Sequence, residues 1–156
     1  MGNPIEEIGM TQLTPHFSLA EMTTTSTGIP NIPTGITLQN LTHTAQQMEK
    51  IRTILGNRPI RINSAFRSDA VNRAVGGVTT SAHSFGFAVD FVCPSFGTPY
   101  DVCMAIAQSG LTFDQLIHER RRWVHIGFGL KSGISNRKQL LTLPPTGKRY
   151  LPGIIK

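Results

Sequence analysis

The run Phe87-Ala-Val-Asp90-Phe-Val92 constrains this chain more than any other stretch, because it places one carboxylate inside an otherwise apolar, β-rich segment. The segment reads as a largely apolar strand. A charged carboxylate there is costly unless it is paired or bound to a metal. The fold must therefore bring a partner to Asp90. Two histidines have comparable settings. His83 lies just before the run, and His125 sits within Trp123-Val-His125-Ile-Gly-Phe128.

The remaining elements follow from periodicity. Leu38, Leu41, Ala45, Met48, Ile51 and Leu55 recur at helical spacing, with Thr37 as the expected cap and Gly56 as the stop. Pro59–Ser64 alternates and predicts a short strand. Ser68-Asp69 opens a short helix that runs to Ala74 and is broken at Gly76-Gly77. Thr98-Pro99 opens another that ends at Gly110. Phe113–His118 and Trp123–Phe128 predict two strands of a hairpin, with Arg120–Arg122 as its loop. Residues 1–36 form a loop-rich segment in which Phe17, Leu19 and Met22 dock, and Pro30 and Pro33 forbid helix over 23–35. Residues 130–156, with Pro144, Pro145, Gly147 and Pro152, read as a basic, irregular extension of a core at 37–129. The expected class is α+β, a small central antiparallel sheet flanked by helices, forming one domain of 156 residues.

Composition narrows the function classes. Basic residues exceed acidic ones by six, which favours a polyanionic partner: nucleic acid, anionic lipid or an anionic cell wall. The excess is concentrated in Lys131, Arg137, Lys138, Lys148, Arg149 and Lys156, either a footprint on an anionic surface or a solvated extension. No nucleic-acid-binding motif appears. Two cysteines, Cys93 and Cys103, are too few for a disulfide framework, although a single bridge is open to them. No apolar run reaches the ~18 residues of a membrane span. Met1–Met10 lacks the features of a signal peptide, so synthesis in a cytoplasm is expected.

Two imidazoles and a carboxylate make a suitable catalytic zinc set, leaving a fourth position for water. Spacing alone leaves open a second reading, in which these histidines are satisfied core residues. The segment Ser81-Ala-His83-Ser-Phe-Gly86-Phe-Ala88-Val-Asp90 resembles the S-x-H-x-x-G-x-A-x-D signature of the M15 family, zinc D-Ala-D-Ala carboxypeptidases and related endopeptidases. Ser64-Ala-Phe-Arg67-Ser with Asn72 resembles that family's arginine-bearing segment, and Trp123-Val-His125 its W-x-H motif. His16-Phe-Ser-Leu-Ala-Glu21 and Gly76-Gly77 resemble a branch common in bacteriophages.

The resemblance implies a fold of the hedgehog/DD-peptidase type with Zn2+ held by His83, Asp90 and His125. Arg67 would bind the substrate, and Ser81 would bind it or orient the loop. The family places its general base shortly before the last histidine, often three residues upstream, where this chain has Arg122. The nearby carboxylate is Glu119, at the offset used in the related hedgehog zinc fold. Strand parity supports it. If Arg120–Arg122 form the loop, Glu119 pairs with Trp123 and Ile117 with His125, so Gln115, Ile117, Glu119, Trp123, His125 and Gly127 share one face. His118 then faces away. Arg67 has a structural alternative, a salt bridge with Asp69 or Glu49, and Glu119 has one as a surface carboxylate answering the arginines.

The implied function is hydrolysis of peptidoglycan stem peptides, by an endolysin-type L-Ala-D-Glu endopeptidase or a D-Ala-D-Ala carboxypeptidase. The enzyme would act on the wall after release from the host cytoplasm, as a free monomeric lysin or a virion component. The competing reading is a non-catalytic zinc-containing module that binds cell wall or protein, kept open by Arg122 at the usual base position.

Overall fold

The computed structural model describes residues 11–129 and 136–156. Met1–Met10, where the signal-peptide expectation falls, and Lys131 of the basic run lie outside the described residues.

Six strands form the main sheet in the order β3-β4-β6-β5-β7-β8: β3 Arg61–Ser64, β4 Ala88–Val92, β5 Gln115–Glu119, β6 Trp123–Gly127, β7 Gln139–Leu143 and β8 Leu151–Pro152. A separate ribbon pairs β1 Gln12–Thr14 with β2 Phe17–Ser18. The helices are α1 Leu19–Met22, α2 Ile36–Ile54, α3 Asp69–Ala74 and α4 Pro99–Gln108. The expected α+β class holds. The sheet is antiparallel except where β7 runs parallel to β5.

The caps explain why the helices start where they do. Ser68 Oγ accepts the Val71 N–H, and Thr98 and Asp101 form a reciprocal capping box ahead of Pro99. Each such cap contributes about 1 kcal/mol. Thr37, the expected cap of α2, lies inside its first turn instead. Its hydroxyl donates to Thr34 O (2.7 Å), and Gly35 takes the cap position without a side-chain bond. At the other end Gly56 adopts φ 76° and closes the helix, as its position in the sequence predicts.

One face of the sheet carries the core. Val89 and Phe91 of β4, Leu116 of β5, and Val124 and Ile126 of β6 pack with Met48 and Ile51 of α2 and with Val102 and Ile106 of α4. Fully burying a side chain of this kind contributes about 1.5–3 kcal/mol relative to exposure. Phe17 and Met22 of the N-terminal segment dock into the same core, as expected. Cys93 and Cys103 are both buried and free, and no bridge joins them. Burial pushes the Cys103 thiol up to about 12.

Residues 139–156 correct the expectation of an irregular extension. Gln139–Leu143 pairs with the whole of β5, from Gln115↔Gln139 to Glu119↔Leu143. Pro144, Pro145 and Gly147 sit after β7 and before β8, Pro152 lies in the short edge strand β8, and none interrupts β7.

Candidate metal centre and cleft

Local geometry, more than the strands alone, brings His83 to Asp90. The chain turns sharply after His83, with Gly86 N bonded to His83 O (3.2 Å) and Phe87 N to Ala82 O (2.9 Å). Helix α2 clamps this turn: Asn40 Nδ2 donates to Phe85 O (3.0 Å), and the buried Thr44 hydroxyl donates to Gly86 O (2.6 Å). Gly86 has φ 82°, and a Cβ there would stand 2.9 Å from Thr37 O. Only glycine fits so close an approach at that dihedral.

The Arg67 segment is held against the same turn, with Arg67 N donating to His83 O (3.1 Å). Buried Asn31 ties it to the N-terminal loop. Its amide donates to Thr23 O and Phe66 O (both 2.9 Å), and its oxygen accepts Ser68 N (2.7 Å). Sequence reasoning did not single out Asn31, since a lone asparagine in a Thr/Pro-rich loop carries no pattern.

In β4 and β6, Asp90 pairs with His125 across the ladder, and β5 sets Ile117 opposite His125 and Glu119 opposite Trp123. This is the register that strand parity predicts. His83 donates Nδ1–H to Ala65 O (2.7 Å), which turns its Nε2 lone pair toward Asp90 Oδ1 at 3.4 Å. His125 Nδ1 lies 2.8 Å from the same oxygen. Three potential ligand atoms, one from each residue, thus lie within 4.8 Å of one another. Burial lowers the pKa of His83, which keeps the imidazole neutral and able to donate its lone pair. Burial works to raise that of Asp90, but the two histidines outweigh it and hold the carboxyl well below its usual range. Two imidazoles and a buried carboxylate are the donor chemistry of a three-ligand zinc site.

Arg67 meets neither Asp69 nor Glu49. Its Nη2 lies 3.4 Å from Asp90 Oδ2 and its Nε donates to Ser64 Oγ (3.1 Å), while Glu49 is engaged by His16. Ser81 Oγ accepts the His83 N–H (3.3 Å), so it braces the turn as well as lining the cleft.

His83, Asp90, His125, Arg67 and Ser81 open on one cleft of about 880 Å³. Glu119 lines it and is buried, at 8% exposure, so it is no surface carboxylate. Its pKa is raised, by burial first and by the negative Asp90 as well, against the pull of His125. Arg122 is exposed at the hairpin tip. His118 faces the opposite side, where its Nδ1–H donates to Ile155 O (2.7 Å). The far wall of the cleft carries Asp114 bound to Arg137 (2.8 Å), Gln115 bound to Gln139 (2.7 Å), Leu141 and Tyr150. Gln115 was legible from strand parity. Arg137 stood out only as one of the basic residues, and Asp114, Gln139, Leu141 and Tyr150 gave no signal.

A family model described as Peptidase M15 matches residues 15–127. The chain belongs to the peptidase M15 family. A relative, the zinc D-Ala-D-Ala carboxypeptidase of Streptomyces albus G, is 37% identical over 54 residues, which is 35% of this chain and 21% of the relative. The chain therefore matches only about a fifth of that relative's length. Among the described residues of this M15 family member, His83, Asp90 and His125 form a group that could hold a metal ion. Among its described residues no helix is long and apolar enough to cross a membrane.

Proposed function

We propose that this M15 peptidase hydrolyses peptide bonds in the stem peptides of bacterial peptidoglycan, with zinc held by His83, Asp90 and His125 and with Glu119 as general base. The observation that carries this reading is the convergence of His83, Asp90 and His125 beside a second buried carboxylate, Glu119, in one cleft.

Zinc bound there supplies Lewis acidity at neutral pH toward water and the scissile carbonyl. Glu119 accepts a proton from the attacking water and delivers it to the leaving amine, so that water adds across the C–N bond. Its raised pKa suits both halves of that task. The Arg67 guanidinium, anchored by Ser64, offers N–H donors to the carbonyl oxygen as negative charge develops. The His83–Ala65 bond fixes the tautomer and ring orientation of the ligand, as an outer-shell partner should.

Within this reading the finer assignment is an endolysin-type endopeptidase that cuts between L-Ala and D-Glu. The cleft favours it, since its lining runs past the metal-binding group on both sides, from Val78 to Gln139, leaving room for substrate residues either side of the scissile bond. Removal of a terminal D-Ala is the second reading, favoured by the name of the Streptomyces relative. Incubation of the zinc-loaded protein with purified sacculi, followed by mass spectrometry of the released peptides, tests both. New N-terminal D-Glu supports the endopeptidase, and free D-Ala the carboxypeptidase. No release while the protein stays bound to the sacculi would leave a non-catalytic wall-binding module.

A further inference from the structure

The segment after β7 lies beyond the part of the chain that the family model matches, yet it is built into the cleft. Arg120 N donates to Leu143 O (2.7 Å), and its guanidinium reaches Pro144 O (3.4 Å) and Pro145 O (3.3 Å). Arg121 reaches Lys156 O (3.3 Å). Thr142 accepts Ile155 N and donates to Gly153 O, both at 2.8 Å. The hairpin tip is a tight turn in which Arg122 N donates to Glu119 O (2.8 Å) and both central residues have positive φ, as two-residue hairpin turns favour. Arg120 and Arg121 have φ of 52° and 60°, a region that costs a residue with a side chain about 1–2 kcal/mol each.

Between the anchors at Pro145 and Pro152 the chain carries Tyr150, which lines the cleft with Glu119 and His125. It belongs to the turn before β8, at the opposite end of the sheet from β3 and the Arg67 segment. The residue is 47% exposed. The phenol pKa is raised, first by burial and then by the negative charge of Glu119, so the hydroxyl keeps its proton at neutral pH. A protonated phenol on a cleft wall is a neutral hydrogen-bond donor with an apolar body. The complementary group on a peptide is a backbone carbonyl.

We propose that Tyr150 is a substrate-contacting residue, whose hydroxyl donates a hydrogen bond to a carbonyl of the peptide bound across the cleft, from the wall opposite Arg67. The inference rests on the peptidase reading. It makes the β7–β8 segment a specificity wall, anchored by the hydrogen bonds from Arg120 and Arg121.

The test compares wild type with Tyr150→Phe, which keeps the ring and removes the donor. Hydrolysis of a muropeptide purified from sacculi should show KM raised about three- to tenfold, the worth of one hydrogen bond, with kcat within about twofold. Titration calorimetry of the same muropeptide into zinc-loaded Glu119→Gln and Glu119→Gln/Tyr150→Phe proteins should show a matching loss of affinity. Zinc content and melting temperature should be those of wild type. Unchanged KM and affinity in an active enzyme would overturn the inference and leave the peptidase reading standing. So would a loss accompanied by lower zinc content or melting temperature, which marks a structural role. A wild type that hydrolyses nothing would overturn both.

Discussion

His83 and His118 make the same anchoring bond, Nδ1–H to a main-chain carbonyl at 2.7 Å, and both are buried. Their surroundings differ. His83 turns its other nitrogen toward Asp90 and His125 on the cleft face of the sheet. His118, on the reverse face of β5, meets the edge of the Tyr100 ring instead. The comparison teaches that a buried, oriented histidine does not make a metal centre. What sets His83 apart is the buried carboxylate at the meeting point of two imidazoles, a group that could hold a metal ion. Moving one residue along β5, from His118 to Glu119, crosses the sheet from its reverse face to the face that opens on the cleft.

The largest effect that would break this division is at Glu119. Glu119→Gln should lower the rate of peptide release from sacculi by roughly 10²–10⁴-fold, the usual contribution of a general base. Zinc measured by elemental analysis should remain stoichiometric. Near-normal release would remove Glu119 from the mechanism.

Glu119 also shows how far the sequence could be read. Its face followed from a period of two and a three-residue loop, because hairpin pairing is local and each side chain's parity depends only on its neighbours. The ligands were legible for a different reason: their spacing matched a known family in order. The β5–β7 pairing was not legible. It is parallel and non-local, and the five residues Gln139–Leu143 lie just before Pro144 and Pro145, whose turn signal dominates the segment. Asn31 and Tyr150 were invisible for a related reason, since each acts through contacts far away in the chain. The α2 cap was misplaced by two residues, because Thr37 and Gly35 are both competent cap residues and only the backbone distinguishes them.

The two histidines provide the next test. His125→Ala should lose stoichiometric zinc, whereas His118→Ala should retain it. The latter leaves Ile155 O without its donor and should lower unfolding stability by about 1–3 kcal/mol in chemical denaturation. Equal zinc loss in both variants would erase the distinction between the faces.

Gly86→Ala probes the clamp that sets His83 in place. A methyl group at φ 82°, against Thr37 O, should cost about 2 kcal/mol of stability or more. Zinc affinity should fall with it, because the turn carrying His83 must shift. Wild-type stability in calorimetry would show that the turn is not held as described.

The smallest effect concerns pH and the metal-free protein. Glu119 has a raised pKa when folded and an ordinary one, about 4.3, when unfolded. The folded state then binds its proton more tightly. The contribution of this group is fully present below the unfolded pKa and is lost as pH rises through the folded one. Glu119→Gln should therefore gain stability relative to wild type as pH climbs through that window. A difference between the two that is flat with pH, in denaturant titrations, would show that Glu119 is not desolvated as the cleft requires.

The central claim is that hydrolysis depends on one zinc at His83, Asp90 and His125. Metal-stripped protein titrated with zinc against purified sacculi tests it most directly. Peptide release should rise linearly to one equivalent and then level off, with Asp90→Ala giving none over the same range. Release by the metal-free protein, or by Asp90→Ala at one equivalent of zinc, would contradict it.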